Sequence, residues 1–197
     1  MDFEIIEIPS DLNGAQSYVQ RYKDFRLLAL QTSPGSFGST YEREIAFTDD
    51  IWLARLTNPS VVNLVAVLSG KTLSSLTLLG PLNYSPDEMS PGGNPWTFTS
   101  GASPMKYSHW CFNGMFTAPE ARGQGIAKAL MKKGLEIGAL RASEAGLEFV
   151  VSIVTGKDNI AARSLYETMG FVVIKEEPFL MHGRSIDVIL MNYSPKV

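Results

Sequence analysis

The stretch PEARGQGIAKAL, residues 119–130, places two glycines one residue apart immediately before a helical pattern. A glycine inside a helix costs about 1 kcal/mol relative to alanine, so Gly123 and Gly125 are expected to precede the helix. The first turn of a helix has backbone N–H groups without intrahelical partners and the positive end of the helix dipole. Glycines let an anion approach these groups closely, and Arg122 adds a charged, forked donor. The stretch therefore predicts a pyrophosphate-binding loop at a strand–loop–helix junction.

Two common nucleotide-binding motifs do not fit the glycines of this sequence. A dinucleotide-binding loop has the pattern G-x-G-x-x-G, but Lys128 stands three residues after Gly125. A Walker-type loop ends in G-K-[ST], but Gly156 and Lys157 are followed by Asp158. A tight turn that binds no ligand is the remaining alternative for the glycines.

A second motif, NIAARSLYETMGF, occupies residues 159–171 and predicts a helix that Asn159 or Asp158 caps. Asn159 and Tyr166 are seven residues apart. Seven steps of about 100° nearly complete two turns, so these two side chains share one face of the helix. Tyr166 alone could be a simple packing aromatic; its combination with the glycine loop favours a functional role.

Patterns along the whole chain predict one mixed α/β domain over residues 1–197. Strands are predicted at 3–8, 61–68, 73–79, 107–117, 147–155, 171–177 and 185–193. Helices are predicted at 14–32, 41–56 and 158–170, and from the glycine loop to 145. The helix at 41–56 would bury Ile45, Trp52, Leu53 and Leu56. Residues 81–106 are rich in proline and glycine and predict an insertion loop, which would be either a lid or a passive surface excursion.

Composition excludes several classes of protein. The net charge of −3 and the pI near 5.4 argue against a nucleic-acid binder, which would show a basic face. Cys111 is the only cysteine, so no internal disulfide is expected. The acidic start has no signal-peptide pattern, and the apolar runs are too short to span a bilayer. A cytoplasmic protein without membrane contact is therefore expected.

Together, FTAPEARGQGIAKAL and NIAARSLYETMGF resemble the two signatures of the GNAT superfamily of N-acetyltransferases. Residues 122–127 match that family's R-x-x-G-x-G/A loop, although Ala127 replaces a glycine and Thr117 a more usual valine. The residues that match the second signature are Asn159, Ala162, Tyr166, Gly170 and Phe171. The resemblance covers residues 107–193 well and residues 1–80 in element order. It implies a mostly antiparallel sheet of six to seven strands with a parallel splayed pair and about four flanking helices.

The resemblance implies acetyl-CoA as co-substrate, with no metal, in direct acyl transfer to an amine. The pyrophosphate would bind residues 122–127, and the pantetheine arm would lie along the strand before them. The implied cofactor-binding residues are Met115, Phe116, Thr117, Arg122, Gly123, Gln124, Gly125, Ile126, Ala127, Asn159, Ala161, Ala162 and Tyr166. Tyr166 matches the family's general acid and would protonate the CoA thiolate. The backbone N–H near Phe116 would stabilise the carbonyl oxygen as it becomes negative.

The sequence leaves the general base open, because the strand at 107–117 carries no carboxylate. His109 is one candidate, directly or through water, and a structural histidine is its alternative. Glu42 and Glu44 are the other candidate bases. The alternative for both is that they are solvated acidic residues in the first turn of a helix. Cys111 is expected to be a buried side chain that packs in the core rather than a nucleophile.

The acceptor would be a primary amine of a small molecule or peptide. Candidate acceptor-binding residues are Phe37, Tyr41, Trp110, Asn113 and Met181. Two other functions stay open: a sensor that binds acetyl-CoA without turnover, and an acetyltransferase of protein lysines or N-termini. The sequence is compatible with a monomer or a homodimer.

Overall fold

The computed structural model describes residues 2–82, 106–181 and 183–194, and they contain seven strands and five α-helices. In chain order they are β1 (Glu4–Glu7), α1 (Leu12–Thr32), α2 (Tyr41–Ile45), α3 (Asp49–Thr57), β2 (Val61–Leu68), β3 (Lys71–Leu79), β4 (Tyr107–Thr117), α4 (Ile126–Glu144), β5 (Glu148–Gly156), α5 (Ile160–Thr168), β6 (Phe171–Met181) and β7 (Arg184–Tyr193). Most of the predicted insertion loop at 81–106 lies outside the described residues. Every described helix is too short or too polar to cross a membrane.

The strands form a sheet in the order β1-β2-β3-β4-β5-β7-β6. β4 and β5 are parallel and pair from Tyr107–Glu148 to Phe112–Ile153, whereas β1–β2, β5–β7 and β6–β7 are antiparallel. β4 continues beyond this pairing to Thr117, and Gly114 within it has a φ of +61°. The predicted mixed α/β class with a parallel pair is therefore confirmed.

The chain forms two compact units, each built from two separate segments. Unit 1 contains Met1–Leu78 and Gly114–Leu130, and unit 2 contains Leu79–Asn113 and Met131–Val197. The assignment of residues 1–197 to one acetyltransferase domain stays a prediction.

In unit 1, the prediction of one continuous helix at 41–56 is wrong. α2 ends at Ile45, and α3 begins at Asp49 after Thr48, whose extended backbone (φ −70°, ψ 162°) cannot continue a helix. Trp52 is buried in α3 as expected, but Ile45 is 44% exposed. The break therefore changes which side of the α2 segment faces the interior.

The buried side chain of α2 is Glu44, which is 1% exposed. Its Oε1 and Oε2 accept hydrogen bonds from Arg26 on α1, at 3.0 and 3.1 Å, and Oε2 accepts another from Arg55 on α3, at 2.9 Å. Burial alone would raise the pKa of Glu44, but these bonds outweigh burial and lower the pKa to about 2. Glu44 thus ties three helices together as a carboxylate.

This pKa predicts an acid-sensitive stability. Because the pKa of Glu44 is lower in the folded than in the unfolded state, its contribution is complete above about pH 5 and is lost as pH falls towards 2. The loss should reach about 3 kcal/mol in the free energy of unfolding, measured by urea denaturation at several pH values. Glu44→Gln should remove this pH-dependent part of the stability. It should also lower the free energy of unfolding by about 3–5 kcal/mol at pH 7, because two arginines lose their charged partner.

Glu42→Gln, at an exposed position of the same helix, is the matched control and should keep the acid dependence. If wild type and Glu44→Gln lose stability in parallel between pH 5 and 2, the ion pairs do not control the acid response.

Unit 2 is held together by an aromatic cluster. The Phe171 ring lies 5.9 Å from that of Phe112, 6.2 Å from that of Tyr166 and 5.5 Å from that of Tyr193, measured between centroids. These four rings connect α5 with β4, β6 and β7, and they fix the position of Tyr166 within this unit.

Candidate active site

In unit 1, the glycine loop has an open backbone. Gly123 and Gly125 have φ values of +74° and +78°, and a Cβ at either position would meet no atom within 4 Å. Glycine is thus required by the backbone conformation, not by crowding from the protein. The first helical hydrogen bond of α4 runs from the Ala129 N–H to the Gly125 carbonyl at 3.1 Å. The preceding N–H groups of the first turn are therefore available to an anion.

Arg122 lies exposed at the start of this loop. Its Nε donates to the Thr117 carbonyl at 3.0 Å, and its guanidinium lies 5.9 Å from the centroid of the Phe116 ring. Gln124 donates through Nε2 to the Glu120 carbonyl at 3.1 Å. These contacts hold the loop against the end of β4 and place a permanent positive charge beside the open backbone.

The end of β4 is anchored by β3. Ser74, which is fully buried, donates through Oγ to the Phe116 carbonyl at 2.9 Å and lies 2.8 Å from Thr117 Oγ1. The Ala118 N–H donates to the Leu73 carbonyl at 2.9 Å. The residues from Met115 to Thr117 therefore form a fixed strand that leads directly into the glycine loop.

In unit 2, the start of α5 confirms one of the two predicted caps. The Asn159 side chain, rather than that of Asp158, accepts the Ala162 N–H at 3.2 Å. Ala161 is exposed and Ala162 is half-buried, so small side chains occupy the first turn.

Tyr166, two turns along α5 from Asn159, is 5% exposed. Burial raises the pKa of its phenol above the usual value of 10.0. The hydroxyl therefore stays protonated at neutral pH and can donate a proton or a hydrogen bond.

His109 on β4 is fully buried, and its Nε2 lies 2.9 Å from Ser152 Oγ on β5. Burial lowers the pKa of His109 to about 4, so the imidazole is neutral at pH 7. The pKa of Cys111 is raised to about 11, chiefly by burial, so its thiol stays protonated. Ser152 is not among the site residues predicted from the sequence, although it is a lone serine within the apolar run FVVSIV.

The other predicted site residues differ in accessibility. Phe37 and Trp110 are buried, at 7% and 2% exposed, and Trp110 Nε1 donates to Ser108 Oγ at 2.9 Å. Tyr41 and Met181 are half-buried, and Asn113 and Glu42 are exposed. Unit 1 thus holds Phe37, Tyr41, Glu42 and the segment from Met115 to Ala127, whereas unit 2 holds the remaining predicted site residues. Within the described ranges, no group of three His, Cys, Asp or Glu residues could hold a metal ion.

The family model described as Acetyltransferase (GNAT) family matches residues 27–171, well over half of the chain. This chain belongs to the GNAT acetyltransferase family. The matched region includes both the glycine loop and all of α5. Membership indicates acetyl transfer as the class of reaction for this GNAT protein.

Solved structures share the fold of this GNAT protein at low identity. A GNAT-family acetyltransferase from Streptococcus pneumoniae is 16% identical over 97% of this chain and 98% of that chain, with a TM-score of 0.65. Arabidopsis thaliana NAA60, in complex with acetyl-CoA, is 15% identical over 98% of each chain, with a TM-score of 0.61. The protein yncA from Salmonella typhimurium, with its cofactor acetyl-CoA, is 14% identical over 100% of this chain and 97% of that chain, with a TM-score of 0.64. A comparison with curated protein sequences gave no match.

Proposed function

We propose that this GNAT protein transfers the acetyl group of acetyl-CoA directly to a primary amine of a small molecule or peptide. The observation that carries the proposal is the open glycine loop at the start of α4, with Arg122 beside it. A loop of this kind binds phosphate groups through backbone N–H donors and a cationic side chain. Two of the structures with the same fold are complexes with acetyl-CoA, which supports this choice of ligand.

The residues present suit this co-substrate. Arg122 and the backbone from Gly123 to Ala127 would bind the pyrophosphate. Met115, Phe116 and Thr117 would bind the pantetheine arm by strand addition. In unit 2, Asn159, Ala161 and Ala162 would contribute further contacts. Acetyl-CoA supplies an acetyl thioester, whose carbonyl carbon accepts the amine nitrogen while the carbon–sulfur bond breaks.

Tyr166 is the general acid of the proposed reaction. The CoA thiolate leaves with an electron pair, and the Tyr166 hydroxyl would donate a hydrogen bond or its proton to that sulfur. Burial keeps the phenol protonated, because it raises the pKa of Tyr166. The N–H near Phe116 would stabilise negative charge on the carbonyl oxygen in the transition state.

A base must accept the proton that the amine loses. Two side chains are candidates for this role, and the first is His109 acting through Ser152 Oγ: its imidazole is unprotonated at pH 7 and has a hydroxyl contact at 2.9 Å, although burial lowers its pKa to about 4 and makes it a weak base. The competing assignment is Glu42, an exposed carboxylate in the first turn of α2.

Paired substitutions separate these two bases. A base role of His109 predicts that His109→Gln lowers kcat by about 100-fold, the lower end of the range for general acid–base catalysis, without changing the Kd for acetyl-CoA. Glu42→Gln should leave both values near those of wild type. Steady-state release of the CoA thiol measures kcat, and calorimetric titration measures Kd. The reverse pattern would assign the base to Glu42.

For the acceptor, we propose that Tyr41, Asn113 and Met181 contact the amine substrate, since each retains exposed surface. Phe37 and Trp110 are buried, so we propose that each supports the acceptor-binding residues of its own unit rather than contacting the amine.

The test of the function is a panel of amines incubated with protein and acetyl-CoA. It should include aliphatic amines, aromatic amines, polyamines and peptides with free N-termini. The expected result is a mass increase of one acetyl group on a member of the panel, with stoichiometric release of CoA. Tight binding of acetyl-CoA without any acetylated product would instead support the sensor function.

A further inference from the structure

Phe37 lies between α1 and α2 and has two notable neighbours in unit 1. Its ring lies 4.7 Å from the guanidinium carbon of Arg26, and its centroid lies 6.4 Å from that of the Phe116 ring. The side chain is only 7% exposed, so most of its surface is already covered by protein. These contacts suit a packing element better than a surface that meets a substrate.

The arginine beside Phe37 is held in one orientation. Arg26 donates through Nε and Nη2 to the two carboxylate oxygens of Glu44, at 3.1 and 3.0 Å. Glu44 is bound in turn by Arg55 at 2.9 Å. A bidentate bond fixes the plane of the guanidinium, and this plane provides a rigid base for the Phe37 ring.

The other neighbour of Phe37 belongs to the glycine-loop region. The Phe116 ring also lies 5.5 Å from the Phe25 ring and 5.9 Å from the Arg122 guanidinium. It is 5% exposed, so its position depends on the side chains packed around it. Phe37 is therefore one of the side chains that pack around Phe116, and Phe116 in turn packs against the Arg122 guanidinium.

We propose that Phe37 is a positioning residue for the acetyl-CoA-binding loop. Held by Arg26 and Glu44, it keeps Phe116 in place, so that Arg122 and the end of β4 are arranged before the ligand arrives. This inference rests on the proposed function, because it assumes that acetyl-CoA binds at this loop. Pre-arranged binding groups give tighter binding because less order must be created when the ligand binds.

The experiment compares two phenylalanines that each stack on an arginine of the same ion-pair network. Phe37→Leu removes the ring that contacts Phe116. Phe47→Leu is the matched control, since the Phe47 ring stacks on Arg55 at 4.8 Å and packs against Trp52 at 5.7 Å. Calorimetric titration with acetyl-CoA, well below the unfolding temperature, should show a Kd about fivefold higher for Phe37→Leu, within the usual range for coupled residues outside a binding site. Phe47→Leu should bind like wild type.

Arg26→Lys is the second variant and decides the test if Phe37→Leu does not fold. Lysine keeps the charge opposite Glu44 but loses the planar fork, so the Kd should rise about threefold or more. Urea denaturation of every variant reports stability separately from binding. If Phe37→Leu and Arg26→Lys lose stability but keep the wild-type Kd, the inference is overturned and the proposed function is unaffected. If wild type itself does not bind acetyl-CoA, both are overturned.

Discussion

Replacing Arg122 with glutamate is expected to abolish the thermal stabilisation of this protein by acetyl-CoA. At 100 times its Kd, a ligand that binds only the folded state stabilises it by about 2.7 kcal/mol. For a chain of this length, the wild-type melting temperature should rise by roughly 5–10 °C. Glutamate would place a negative charge beside the proposed pyrophosphate-binding backbone and remove the bond from Arg122 Nε to the Thr117 carbonyl. Differential scanning fluorimetry with and without acetyl-CoA measures the effect.

The matched control is Arg21→Glu, which reverses an exposed charge on α1. Its net charge equals that of Arg122→Glu, so a general electrostatic effect on an anionic ligand would appear in both variants. Arg21→Glu should keep the full rise in melting temperature. An undiminished rise in Arg122→Glu would mean that the ligand binds elsewhere, and the glycines would then serve only as a turn.

The second large effect is expected from Tyr166→Phe, which removes one hydroxyl and keeps the ring that packs against Phe171. Loss of a general acid typically costs 10²–10⁴-fold, so kcat should fall by about 100-fold. The Kd for acetyl-CoA should stay unchanged, because the variant alters the departure of the thiolate rather than the binding of the pyrophosphate. Since burial raises the pKa of Tyr166, wild-type kcat should not fall through its ionisation up to about pH 10.

Tyr193→Phe is the control for this variant, because the Tyr193 ring packs against Phe171 as well, at 5.5 Å. It should retain wild-type kcat with the amine identified by the panel. An unchanged kcat in Tyr166→Phe would remove the general acid from the proposed mechanism. If Tyr166→Phe and Tyr193→Phe both lose turnover, the loss would be due to altered packing of the aromatic cluster rather than to a missing proton donor.

Local signals in the sequence predicted much of this fold. β4 has its predicted bounds at Tyr107 and Thr117, because a long run of strand-forming residues ends before Pro119. The cap at Asn159 was predictable because capping depends on residues only three positions apart. The positive φ values at Gly123 and Gly125 likewise belong to a local turn.

Long-range contacts explain what the sequence could not predict. The division at 41–56 carries no glycine or proline, and it accompanies the burial of Glu44, whose partners lie 18 residues before it and 11 after it. Nothing local predicts that a glutamate, rather than Ile45, faces the interior. The contact between His109 and Ser152 spans 43 residues and depends on the register of two parallel strands, which periodicity does not specify.

The segments of the two compact units alternate along the chain, and this order constrains when each unit can fold during synthesis. Unit 1 needs Gly114–Leu130 for its completion, so it cannot finish folding until all of Leu79–Asn113, which belongs to unit 2, has left the ribosome. Those residues must then wait for Met131–Val197 to emerge before their own unit is complete. Domains usually fold as units in the order of their synthesis. Here, the nascent chain carries an incomplete unit throughout most of translation, and no single truncation point separates one unit intact from the other.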